Sequence, residues 1–187
     1  MTFELDQSWL PQTDPRCQPG RVSIDRSREA LLFRAELSDT SIVSWATGDD
    51  QPFHLLGDTL EIFLMAENAA FYVELHVSPQ NYRAHLRWPL GAIGGVREGR
   101  GSIEDFRLKG SGFESETLVR SGANRWDIMV RVPAHLLDLE EFRPGQRTWF
   151  SVSRYDYSSL DEPPVHSSTS PHRQLDFHRF DDWQSIA

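Results

Sequence analysis

Cys17 is the only cysteine in the chain. No intrachain disulfide can form, which argues against a cystine-stapled secreted scaffold without fixing the compartment. Long apolar runs are equally scarce. The stretch Thr59 to Met65 is seven residues and contains Glu61, far short of the ~20 that cross a bilayer, so no transmembrane segment is expected. The opening Met1-Thr2-Phe3-Glu4-Leu5-Asp6 has neither a basic n-region nor an apolar h-region. No signal peptide is visible, and the expectation is a cytoplasmic protein if the chain is complete. Positive charge is short too: 19 Lys+Arg against 28 Asp+Glu leave a net charge of -9. Such a field repels phosphate backbones. The run Arg97, Arg100, Arg107, Lys109 is diluted by Glu98, Glu104 and Asp105, so a nucleic-acid partner is not expected.

Several signatures are missing as well. No GxxxxGK[ST] phosphate loop and no GxSxG nucleophile elbow occurs. Gly91-Ala92-Ile93-Gly94-Gly95 loosely matches a dinucleotide-binding loop, but a second turn-rich run, Arg97-Glu98-Gly99-Arg100-Gly101, follows instead of a helix pattern. It reads as a flexible crossing loop. No amphipathic helix of about 10 to 15 residues separates the strands, which disfavours a βαβ fold.

What is present is β periodicity in a chain of 187 residues, enough for one core and one domain over 1–187. Ala30 to Leu37 is a strand candidate. Leu60, Ile62 and Leu64 alternate with Thr59, Glu61, Phe63 and Met65, and Phe71, Val73, Leu75 and Val77 alternate with Tyr72, Glu74 and His76. Tyr82, Ala84, Leu86 and Trp88 oppose Arg83, His85 and Arg87, and Trp126, Ile128, Val130 and Val132 form another face. Period two marks half-buried strands. Arg147 to Tyr155 is a further strand, and Leu175 to His178 a last edge strand. Residues 1–20 read as an irregular arm and 158–173 as a long polar loop, the kind that is functional or mobile. Eight or more strands with turn signals between them predict an all-β, antiparallel two-sheet sandwich. Leu60, Ile62, Val73, Leu75, Ile128 and Val130 should share its core.

The composition includes 6 Trp and 11 Phe; some belong to the core, and a binding protein can also use Trp as exposed ligand platforms. Sugar recognition needs an aromatic face against the apolar side of a ring and polar groups on the hydroxyls. Trp45, Trp88, Tyr155 and Tyr157 are candidate platforms, and Glu61, Arg83, Arg154 and Asp156 a candidate clasp. In particular, Arg154, Tyr155, Asp156 and Tyr157 stand where a strand runs into the long loop. Calcium prefers carboxylates and carbonyls on loops, which makes Asp49, Asp50 and Asp58 candidate ligands; the plainer reading is that Asp49 and Asp50 make a turn. His166, His172 and His178 are too far apart for a usual transition-metal motif and read as solvated loop histidines, with one or two hydrogen-bonding locally. Glu61 and Glu74 face the side of their strands away from the main core and share a surface if those two strands pair. They read as a polar surface or, alternatively, as a glycosidase-like carboxylate pair.

Taken in order, these pieces resemble the family 9 carbohydrate-binding modules and the related DOMON-like sandwiches. Gly48-Asp49-Asp50 precedes Gly57-Asp58-Thr59-Leu60-Glu61-Ile62-Phe63-Leu64. Phe71 to Pro79, Trp126 to Pro133, Trp149 to Arg154 and Phe177-His178-Arg179-Phe180 are similar to the later strands of that family, with Phe180 where the family favours Pro. The resemblance implies a jelly-roll sandwich, often with bound calcium, and in sugar-binding members two Trp around a terminal sugar. The expectation is a non-catalytic domain binding a small-molecule or oligosaccharide ligand. A non-sugar binding or structural domain and a glycosidase-like enzyme remain the alternatives.

Overall fold

Apolar alternation decides where this chain extends. In chain order the strands of the computed structural model, which describes residues 1–110 and 112–187, are β1 (Thr2–Glu4), β2 (Gly20–Arg26), β3 (Ala30–Ser38), β4 (Thr59–Ala66), β5 (Phe71–Val77), β6 (Arg83–Pro89), β7 (Arg107–Leu108), β8 (Glu114–Arg120), β9 (Arg125–Pro133), β10 (Thr148–Asp156), β11 (Val165–Ser168) and β12 (Gln184–Ile186). They pair antiparallel in two sheets, a sandwich of jelly-roll type. The smaller runs β1-β2-β3-β9-β8. The larger runs β11-β10-β4-β5-β6-β7, with β12 also on β10. The outer edge of β10 is shared: β12 pairs with Thr148 to Phe150 and β11 with Ser153 to Asp156.

Between the sheets lies one apolar core. Val22 and Ile24, Leu31, Phe33 and Leu37, and Trp126, Ile128, Val130 and Val132 meet Leu60, Ile62 and Leu64, Val73, Leu75 and Val77, and Phe150 and Val152. Each such side chain contributes roughly 1.5–3 kcal/mol when fully buried. The six residues expected to share a core all lie here. No helix among the described residues is long and apolar enough to cross a membrane.

Five local expectations change. The 1–20 arm, expected to be irregular, carries β1, which pairs with β2. β2 was not foreseen, although Val22 and Ile24 alternate with Arg21, Ser23 and Asp25. Ala92–Arg97, expected as loop, forms a short helix, α1, because Ala92, Ile93 and Val96 pack against an aromatic cluster around Trp88. The 158–173 segment, expected as a long loop, carries β11, since β10 offers an unpaired edge. Leu175 to His178 is not the edge strand; Gln184–Ile186 takes that role, and the 175–183 segment folds over the outer face of the larger sheet. Phe177 and Trp183 of this cover pack on Phe63, Tyr72, Leu86 and Trp88, a second cluster on the face away from the inter-sheet core.

Candidate functional site

The outer face of the larger sheet is set by register. Glu61 of β4 stands opposite His76 of β5, and Glu74 opposite Leu86 of β6, so Glu61, Glu74, His76 and, through Tyr72, Trp88 project to one side. On β10, Thr59 opposite Tyr155 puts Tyr155 on that side too. Above them the chain leaves a cavity of about 400 Å³. Glu61, Glu74 and His76 form its polar floor. Trp88, Tyr155, Phe177, His166 and His178 supply rings, and Ile93, Val96, Ile103 and Leu175 an apolar rim. Arg97 of α1 grips Asp176 with two hydrogen bonds of 2.9 and 2.6 Å, tying the helix to the covering segment.

The floor is a buried charge network. His76 Nε2–H donates to Glu74 Oε1 at 2.6 Å and stands 3.4 Å from Glu61 Oε1. Trp88 Nε1 donates to Glu74 Oε2 at 2.6 Å. Burial works against charge on Glu74, but His178, His76 and these two hydrogen bonds hold it down at about 2. Glu61 lacks such donors, and burial lifts it to about 8 against the pull of His76. Burial opposes charge on His76 too, but Glu61 and Glu74 together raise it. His54, on the 3-10 turn Phe53–Leu55, is lowered to about 4 by burial and by His76. Its turn is fixed from behind, where the Tyr157 hydroxyl donates to His54 O at 2.6 Å.

The structure divides the sequence candidates. Glu61, Trp88 and Tyr155 line the cavity, although Trp88 is only 1% exposed and presents little of its ring. Arg83 stands opposite Val77, so its side chain points to the other face, where it donates to Phe113 O at 3.2 Å. Arg154 is paired with Leu60 and likewise turns away from the cavity. It is wholly buried and donates to Ser38 O at 2.8 Å and Asp39 Oδ2 at 3.0 Å, with Asp156 Oδ2 at 3.2 Å. The alternation of one strand thus separates Arg154 and Asp156 from Tyr155. Tyr157 is buried, its backbone N–H donating to Asp58 Oδ1 at 2.7 Å. Trp45 is 69% exposed on a loop. Asp49 accepts from Arg83 N at 2.8 Å and Asp50 N–H donates to Arg83 O, so both close a turn onto β6. The histidines expected in solvent are covered: His172 is fully buried, and His166 and His178 are partly so.

Among the described residues, two groups of side chains bring ligand atoms within 4.8 Å of one another, close enough to hold a divalent ion: His54, Glu61 and His76, and Asp39, Asp58 and Asp156. In the second group, burial and the neighbouring Asp39 lift Asp58 to about 8, against the N–H groups of Tyr157 and Val43. Burial lifts Asp156 to about 6 against Arg154. Three carboxylates face one guanidinium there. Neither His54 nor Asp39 was singled out in the sequence, because each lies in a segment without periodicity and only the folded chain brings it to its partners.

No family model and no curated protein matches this chain. Solved structures share its fold. A putative carbohydrate-binding protein from Bacteroides uniformis superposes with a TM-score of 0.77 at 13% identity, covering 99% of this chain and 84% of that one. A family 9 carbohydrate-binding module from Caldicellulosiruptor kristjanssonii in complex with cellotriose gives 0.63 at 13% identity, over 97% and 79%. Such a module from that organism in complex with glucose gives 0.62 at 12%, over 98% and 83%. At these identities the likeness is one of fold.

Proposed function

We propose that the chain is a non-catalytic carbohydrate-binding domain that seats a small or terminal sugar in the cavity on the outer face of its larger sheet. The observation that carries this reading is the cavity itself: about 400 Å³, within the usual range for small-ligand sites, with hydrogen-bonding groups on the floor and rings in the walls. Glu61 is placed to accept from, or donate to, a sugar hydroxyl. Tyr155, edge-on to His166 at 4.7 Å, offers an aromatic surface to the C–H side of a ring. The shared fold of modules solved with cellotriose and glucose supports the same reading. A glycosidase role is disfavoured by the floor. Retaining or inverting carboxylates stand about 5–9.5 Å apart with the sugar between them, whereas here His76 fills the gap between Glu61 and Glu74.

Calcium, as a hard cation, belongs with the oxygen donors Asp39, Asp58 and Asp156 rather than with Asp49 and Asp50. The donor type fits: one carboxyl oxygen from each of the three lies within 4.8 Å of the others. The role of calcium would be to brace the end of β10. Melting temperature should rise in millimolar calcium by mass action; identical curves in chelator and calcium would remove it.

Calorimetric titration with mono- and disaccharides, in calcium and again in chelator, tests the main proposal. Heat from at least one sugar, lost in Tyr155→Ala and weakened in His166→Ala, is expected. Absence of heat from every sugar would overturn it in favour of a non-sugar ligand for the apolar rim.

A further inference from the structure

We propose that His54, Glu61 and His76 form a site for one divalent transition-metal ion of the zinc class, with an open coordination position facing the cavity. The proposal does not depend on the ligand of that cavity being a sugar.

Three observations carry it. The first is spacing. In tetrahedral zinc sites with metal–ligand bonds near 2.0–2.2 Å, donor atoms lie about 3.3 Å apart. His76 Nε2 and Glu61 Oε1 already stand at 3.4 Å, and one ligand atom from His54 completes a set within 4.8 Å. Small side-chain rotations close such a set on an ion.

The second is rigidity. Glu61 and His76 are cross-strand partners in the middle of the larger sheet. His54 comes from a turn whose neighbour Phe53 is buried and whose carbonyl is held by Tyr157. Its ring meets those of His76 and Tyr155 at 6.1 and 5.8 Å. Ligands mounted this way keep their geometry without a metal.

The third is an unmet need. His76 is 2% exposed and its Nδ1 has no hydrogen-bond partner. An orphaned imidazole nitrogen in a buried polar cluster points to a missing partner. With Nδ1 of His76 on the ion, Nε2–H keeps its 2.6 Å hydrogen bond to Glu74 Oε1; with Nε2 on the ion, that hydrogen bond is given up and Glu74 stands beside the site. Carboxylate–histidine–metal relays of the first kind orient ligands in many zinc sites.

Donor chemistry sets the class of ion. Two imidazoles and a carboxylate suit zinc and its neighbours, while calcium and magnesium ask for oxygen throughout. Three protein ligands leave a position for water or for a donor atom of whatever enters the cavity.

The test uses the full chain, stripped with chelator and exchanged into chelator-free buffer. It is titrated with Zn²⁺ alone by calorimetry and with Co²⁺ alone by visible absorption. One ion per chain is expected, with the visible bands of low-symmetry cobalt. Both signals should be lost in His54→Ala, with the far-UV circular dichroism unchanged. Glu61→Gln, of nearly the same shape, should lose them too and serves if His54→Ala misfolds. Glu74→Gln should lower affinity about 10–100-fold. His135→Ala, at an exposed histidine, should bind as the parent does. No binding by the parent chain, or parent-like affinity in both His54→Ala and Glu61→Gln, would overturn the proposal. No sugar enters this titration and the sugar titration is also read in chelator, so either reading can fail without the other.

Discussion

Leu60, Ile62 and Leu64 leave β4 on one side, and Glu61 and Phe63 leave it on the other; β5 divides into Val73, Leu75 and Val77 against Tyr72, Glu74 and His76. Both sets are out of water, but their covers differ. The inner set meets another sheet, whose backbone groups pair largely in ladders and which presents chiefly apolar side chains. The outer set lies under a 3-10 turn, a six-residue helix and the irregular 175–183 segment. Irregular cover brings histidines, an arginine and aspartates along with its rings, and it fits loosely enough to leave a cavity. The contrast shows that the kind of element laid over a sheet face decides whether that face becomes core or chemistry.

The sharpest challenge to this division is Arg154, the charge that the alternation sends to the inner side. Arg154→Ala leaves Asp39 and Asp156 buried without their partner and should cost about 3–5 kcal/mol, read as a lowered midpoint in urea. A loss under about 1 kcal/mol would mean the network is solvated. Ile128→Ala in the inner core should cost about 2–5 kcal/mol through lost transfer energy and a cavity. The outer face should instead respond to acid. His172 lies within 3.2 Å of Ser151 Oγ, and burial lowers it below its ordinary 6.5 despite Asp182 and Asp176. Its folded pKa is depressed, so the unfolded chain binds the extra proton. The stability it contributes is present above 6.5 and is lost as pH falls through the folded value. Denaturation at pH 7 and pH 5 should show a smaller drop in His172→Gln than in the parent; equal drops would detach His172 from the effect. The smallest expected change is Trp45→Ala, within about 0.5 kcal/mol, because the ring is mostly in solvent.

The two faces were legible to different degrees. Alternation in β3, β4, β5 and β9 is local, and it yields both the strands and the inner core. It does not say which way a polar set points, because that depends on the partner's register. Glu61 beside His76 faces the cavity, whereas Arg83, opposite Val77, faces away from it. Arg154, opposite Leu60, parts from Tyr155 one residue later for the same reason. His54 and Asp39 carry no periodic signal. The histidines of the tail read as solvated because their burial rests on contacts more than a hundred residues away in sequence, as between His178 Nδ1 and the Tyr72 hydroxyl at 2.7 Å.

The pairing of β4 with β10 has a consequence for a chain made from its N-terminus. The β4-β5-β6 meander leaves the ribosome with Glu61, Glu74 and His76 bare on one side and Leu60, Ile62 and Val73 bare on the other. The inner side has β2 and β3 already made and gains its last partner strands when β8 and β9 emerge. The outer side waits for Phe177 and Trp183, which are made only after β10 and β11. Contacts of such long sequence separation form slowly, and a half-covered sheet is exposed to misassembly in the meantime. Whatever this cavity receives, it can be received only once the 175–183 segment has been made and has folded back over the sheet.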